Sequence, residues 1–468
     1  MNTIKWYDEV LKRKEEQMQL TKELVQIKSV LKEQPEQLDA PLGNEVKEAL
    51  QFMLTQGQKD GFITKNVDNL AGHLEFGSGE ELVGILCHVD VVPEGDGWTY
   101  DPFGGEIVDG KMYGRGVLDD KGPTIAAYMG MKIVKELGLP LSKRVRMIIG
   151  TDEESDWRCV DRYFKTEEMP TIGFAPDADF PIIYAEKGIA DYDFIFTNKS
   201  IESKKLQLVS FQSGRRYNMV PDYAKAIVKV TEGTEEFLLA YENYLSTNQL
   251  EGKSSIDKDE VVLELVGISA HGMEPNLGKN AGIILGNFLA NYDLDSNGKT
   301  YVQFIHTYFY EDSRGNAFKV NTSDQTGDLT MNVGVFDYSL ENGGKIGVNM
   351  RYPASCSIDE TMDKIKEKLQ GTPIELANFK NSLPHYVKED SELIQTLKRV
   401  YEEQINEKAE LIAIGGGTYA RSLTQGVAFG PLFPGSEDSA HQRDEFMYVD
   451  DLLKAASLYA QAIYELAK

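Results

Sequence analysis

The chain has 468 residues, 41% hydrophobic and 26% charged, with 49 Lys and Arg against 75 Asp and Glu, a net charge of −26. Such a length buries a substantial core, excludes wholesale disorder and suits two to three domains at roughly 150 residues each. The negative balance repels phosphate backbones and anionic bilayers, so no nucleic-acid or membrane partner is expected and a small-molecule substrate is favoured.

The N-terminus, MNTIKWYDEVLKRKEEQMQL, has no apolar signal-peptide core, and Ile4, Val10, Leu11 and Met18 fall at amphipathic-helix spacing. No uncharged apolar run approaches ~20 residues, so no membrane span is expected. Leu82–Cys87 reads as a buried strand, Gly122–Leu137 as a helix, and Val145–Ile149 and Thr171–Phe174 as further strands. This alternation predicts an α/β domain with a mainly parallel central sheet, its sites beyond the carboxyl ends of the strands. From about Lys187 the texture changes. Strands are expected at Leu206–Phe211, Ala224–Thr231, Val261–Val266, Leu329–Phe336 and Lys345–Arg351, with helices near Thr234–Leu245, Asn280–Leu289 and Asp359–Leu369. That mixture points to an α+β insertion, after which helices Glu392–Gln404 and Val449–Leu466 close the chain. The sparse, odd set Cys87, Cys159 and Cys356 fits a reducing cytoplasm better than a disulfide framework.

Chemistry concentrates in acidic and histidine clusters, several just after predicted strands. His88 and Asp90 share one side of an extended chain, so Asp90 can hold one ring nitrogen while the other binds a metal. Alone, His-x-Asp is more often a satisfied buried histidine. Gly114–Gly122 carries Asp119 and Asp120 before a helix start, where a carboxylate caps the helix or bridges cations. Thr151–Ser155 holds Glu153 and Glu154, which point different ways and can divide metal binding from proton transfer. Pro176–Asp179 supplies Asp177 and Asp179, and His441 stands far along the chain. Jointly, two histidines and several carboxylates suit zinc or another first-row divalent ion, and a bridging carboxylate suits a two-metal hydrolase. No His-Glu-x-x-His and no Gly-x-Ser-x-Gly occurs.

His88-Val-Asp90, the Gly114–Gly122 segment, Asp152-Glu153-Glu154, Pro176-Asp177 and Ala440-His441 resemble the signature set of the aminoacylase/carboxypeptidase G family of co-catalytic zinc peptidases. More narrowly, the chain is similar to bacterial PepV-type dipeptidases, which are Xaa-His dipeptidases related to carnosinases. The resemblance implies two Zn²⁺, with Co²⁺ or Mn²⁺ as substitutes. His88 and Asp177 would bind one ion, Glu154 and His441 the other, and Asp119 would bridge them. Asp90 would orient His88, and Glu153 would be the general base. Asp rather than Glu at position 177 implies dipeptides with a free amino terminus as substrates. The alternatives are a same-fold amidohydrolase acting on N-acyl amino acids and a non-catalytic binding protein that kept the fold.

The same resemblance places a catalytic zinc-binding domain at 1–185 and 385–468 and an inserted lid at 186–384, long enough for two βαββαβ units. His271 would stabilise the oxyanion with help from Asn218. Arg351 would clamp the substrate carboxylate, with backbone N–H groups of Gly416, Gly417 and Thr418 beside it. A lid of that length would supply its histidine within one chain, implying a monomer. His73, His306 and His385 match no motif and read as structural or solvated.

Overall fold

Seven consecutive buried residues, Leu82–His88, form a strand with no solvated face, as expected of the middle of a covered parallel sheet. A computed structural model describes residues 4–33, 36–37, 39–199 and 204–468. The chain divides into two units, one of Met1–Ala185, Tyr386–Ile412 and Gly417–Lys468, the other of Glu186–His385 and Ala413–Gly416.

In the first unit Leu82–His88 pairs in parallel with Arg144–Gly150 on one side and Ile172–Ala175 on the other. Gly426–Ala428 extends the parallel centre beyond Ile172–Ala175. The flank is antiparallel: Ala71–Gly77 pairs with Arg144–Gly150, and Ile63–Val67 with Ala71–Gly77. The helix Lys121–Glu136 buries Ile125, Met129 and Ile133 completely, which stabilises the fold by ~1.5–3 kcal/mol each. It packs against Val449–Ala467, and at the crossing a Cβ on Gly130 would lie 2.8 Å from the Ala460 backbone nitrogen. The single amphipathic helix expected at the N-terminus is two, Trp6–Leu11 and Lys14–Val25.

The second unit holds an eight-stranded sheet. Its order is Glu251–Asp257, Glu260–Val266, Tyr223–Val230, Leu206–Ser213, Thr330–Ser339, Gly343–Tyr352, Gly188–Phe196 and Ile374–Ser382. Every pairing along it is antiparallel. Alternate residues of Tyr223–Val230 are buried, and they meet the helices Thr234–Thr247, Ala281–Ala290 and Ser296–Phe309 in an aromatic-rich core around Phe194, Phe211, Phe288 and Phe304. The eight strands, as many as two βαββαβ units hold, form one continuous sheet. Among the described residues no helix is long and apolar enough to cross a membrane.

Candidate metal centre

The loops at the carboxyl ends of the parallel strands carry the acidic clusters. His88 ends its strand fully buried. Its Nδ1–H donates to the backbone carbonyl of Asp90 at 3.0 Å, while the Asp90 carboxylate lies 3.5 Å away. The sequence reading gave that job to the carboxylate; the carbonyl is the nearer acceptor. Either acceptor fixes the same tautomer, with the Nε2 lone pair free for a metal. Asp90 instead accepts the Glu154 N–H through Oδ2 at 3.0 Å, tying the histidine strand end to the acidic pair. The Tyr419 ring stands edge-on to His88 at 5.9 Å and limits the imidazole's tilt.

Asp119 divides its oxygens between two imidazoles. Oδ1 is 3.0 Å from His88 Nε2, and Oδ2 is 3.1 Å from His441 Nε2. His88 Nε2 also faces Asp177 Oδ1 at 3.4 Å, and His441 Nε2 faces Glu154 Oε1 at 3.0 Å. Among the described residues two candidate ligand groups result: His88, Asp120 and Asp177, and Asp119, Glu154 and His441. Asp177, not Asp179, joins them; Asp179 pairs with Leu432 in a short strand.

Asp120, which the sequence offers as a cap or a cation ligand, is absent from the ligand set that the resemblance implies, yet it joins the first group. Its side chain does not cap the following helix. Oδ2 accepts from the His88 N–H at 3.2 Å and the Thr124 hydroxyl at 3.1 Å, and the buried Oδ1 has no hydrogen-bond partner. Asp152 was quoted only as part of a motif. Fully buried, it accepts from Ser155 Oγ at 2.5 Å, Arg158 Nε at 2.7 Å and Arg158 Nη2 at 2.9 Å, and so fixes the turn that presents Glu153 and Glu154. No spacing marks such a carboxylate in a single sequence.

The electrostatics follow from crowding. Burial alone would lower His88, yet Asp177 and Asp119 raise it well above the ordinary histidine value. Hydrogen bonds to Asp119 and Glu154 push His441 up to about 10. Burial would raise Asp119, but His441 and His88 hold it below the usual carboxylate range. Burial pushes Asp177 up to about 6 against the pull of His88, and burial with the Asp177 charge pushes Glu153 well up. Carboxylates crowded around two imidazoles form a field that attracts cations. Mixed His and carboxylate donors suit first-row divalent ions, so the residues present fit a metal pair.

The second unit gathers its own set. Met219 bridges to His271, and the Gly272 N–H donates to the Asn218 carbonyl at 2.7 Å. The Met273 N–H donates to His271 Nδ1 at 3.2 Å, so the neutral ring carries its proton on Nε2 as a donor. Burial and the Arg351 charge lower the His271 pKa and favour that neutral form. Buried Arg351 donates through Nε to Asn349 at 2.9 Å and through Nη1 to the Gly415 carbonyl at 3.3 Å. Gly416 belongs to this unit, whereas Gly417 and Thr418 belong to the first. His73 donates to or accepts from Tyr163 Oη at 2.6 Å in the core, and His306 meets Asn287 at 2.8 Å, both structural as expected.

An α/β unit whose strand ends gather two His-carboxylate groups around one shared aspartate defines the class of a metallohydrolase. Residues 84–465 match Peptidase family M20/M25/M40, and the chain belongs to that family. It is therefore an enzyme of the hydrolase class. A Bacillus subtilis (strain 168) protein with the provisional name dipeptidase YtjP is 51% identical over 465 residues, 99% of this chain and 100% of that one. A provisionally named dipeptidase of Staphylococcus epidermidis is 44% identical over 98% of this chain and 99% of its own. Among solved structures, human carnosine dipeptidase 1 superposes with a TM-score of 0.55 at 16% identity, covering 99% of this chain and 98% of that one. The aminoacylhistidine dipeptidase of Vibrio alginolyticus gives 0.56 at 12% identity, covering 96% of each. At such identities the likeness shows a shared fold.

Proposed function

We propose that the chain is a di-zinc dipeptidase that hydrolyses the peptide bond of dipeptides with a free amino terminus. The observation that carries this reading is Asp119, with one carboxylate oxygen at each of two imidazoles. His88 and Asp177 would hold one ion and Glu154 and His441 the other, with Asp119 between them. Co²⁺ and Mn²⁺ would serve as substitutes, since such donor sets accept several ions. When bound, the metal pair supplies a lowered pKa for water and polarisation of the scissile carbonyl.

The remaining work falls to side chains. Glu153 takes a proton from the attacking water at its carboxylate and hands it to the leaving amine nitrogen. Asp90 orients His88. His271 offers its Nε2–H to the developing oxyanion, with Asn218 assisting, and Arg351 with the N–H groups of Gly416, Gly417 and Thr418 receives the substrate carboxylate. The long insert would let one chain supply the whole set, and on that reading the enzyme would work as a monomer. Cys87, Cys159 and Cys356 are free thiols, which agrees with a cytoplasmic location.

Two things support the free amino terminus: Asp at position 177, and the dipeptidase names of relatives at 51% and 44% identity. Parallel turnover of a dipeptide and its N-acetylated form tests it. The free dipeptide should be the much faster substrate; faster cleavage of the acetylated form would make the enzyme an N-acyl amidohydrolase.

A further inference from the structure

Four residues beyond His441 lies Glu445, a fully buried acid that the proposed mechanism does not use. Its Oε1 accepts three backbone N–H groups, from Gly116 at 3.0 Å, Leu118 at 2.9 Å and Asp119 at 3.2 Å. Its Oε2 accepts from Arg115 Nη1 at 2.6 Å. That guanidinium is itself held, stacked 5.3 Å from the Trp98 ring centroid and donating to the Pro93 and Glu94 carbonyls at 3.4 Å. A buried carboxylate costs several kcal/mol in desolvation unless donors surround it, and here three backbone N–H groups and a guanidinium do. The Gly116–Asp119 turn belongs to no helix or strand, so a side chain must satisfy its N–H groups.

The other end of Glu445 is the loop that carries His441. Ser439 Oγ donates to the Phe446 carbonyl and accepts the Phe446 N–H, both at 3.0 Å, which closes the loop at its base. Asp444 accepts from Thr99 N–H at 2.7 Å and Oγ1 at 2.9 Å, pinning its side. Within it His441 sits at φ 61°, a left-handed conformation uncommon for residues other than glycine.

We infer that Glu445 is the positioning residue that fixes the Asp119 turn and the His441 loop to each other, so that both side chains meet at one cation. The inference rests on the dinuclear reading above. Glu445 touches no ligand side chain; it acts through the backbone that carries Asp119 and through its own place beside His441. E445Q keeps the volume and breaks the arrangement. Its amide presents one acceptor and one donor, so either the three N–H groups or Arg115 is left facing an N–H.

The test is a Co²⁺ titration of metal-depleted wild type and E445Q, followed by visible absorption. Wild type should take up two ions. In E445Q the ion at Glu154 and His441 should bind about 10–100-fold more weakly, the usual effect of losing a group that orients metal ligands, while the ion at His88 and Asp177, which shares only Asp119, weakens by less. Equal weakening of both ions would mean a general loosening of the fold and would overturn the inference. So would a titration identical to wild type. Amide hydrogen exchange on metal-free wild type needs no variant: Gly116, Leu118 and Asp119 should be protected before any ion is added, and fast exchange there would contradict the role. Failure of the wild type itself to bind an ion pair would remove the dinuclear reading and this inference with it.

Discussion

At the level of single residues the acidic pair separates two jobs. Glu154 meets His441 at 3.0 Å and belongs to a candidate ligand group, whereas Glu153 belongs to neither. E153Q should therefore keep its metal content and lose on the order of 10²–10⁴ in rate, the usual contribution of a general base. E154Q should lose metal as well, and elemental analysis of both variants beside their turnover checks the assignment. A second expectation concerns His73, which burial, reinforced by Arg146, lowers from the usual 6.5 to about 4. The folded state prefers the neutral ring, so this contribution is present above pH 6.5 and is lost as the pH falls from 6.5 towards 4. The loss amounts to about 3 kcal/mol. Urea unfolding at both pH values should show wild type losing that much more than H73Q. The family resemblance pointed to His88, Asp119, Glu154, Asp177 and His441, and the structure gathers them in two candidate ligand groups. Asp120, Asp152 and Glu445 were less legible, because their partners are backbone and side-chain donors that the fold brings together and no sequence spacing reveals.

Among the elements, those with one clear period were readable. Leu82–Cys87 became Leu82–His88, and Val145–Ile149 became Arg144–Gly150, since a run of apolar residues covered on both faces is a strong strand signal. Ser296–Phe309 was missed. Gly298 and Thr300 dilute its helical pattern, and Asp295, which accepts the Asn297 and Gly298 N–H groups, starts it. The mixed sheet of the first unit was only half legible: parallel pairing follows from alternating strands and helices, but nothing local announces that Ala71–Gly77 runs the other way. The helix crossing at Gly130 gives a test at this scale. A side chain there would meet the Ala460 backbone, so G130V should lower stability by about 1–3 kcal/mol, read as a fall in thermal midpoint. An unchanged midpoint would mean that the helices Lys121–Glu136 and Val449–Ala467 do not pack as closely as described.

For the whole molecule, the net charge of −26 favours the approach of cations over that of anions. The proposed function also asks one chain to supply Glu153 and His271 together. H271A should lower the rate by up to about 10²–10³, as for one lost oxyanion donor, and a mixture of inactive E153Q with H271A should recover nothing. Recovered activity would require donors to be lent between chains. The central claim, that hydrolysis runs on a metal pair, is tested most directly by titrating Zn²⁺ into chelator-stripped enzyme while following dipeptide turnover. The account predicts no turnover without metal and full recovery as two ions per chain are bound. Full turnover in protein that elemental analysis shows to be metal-free would contradict it.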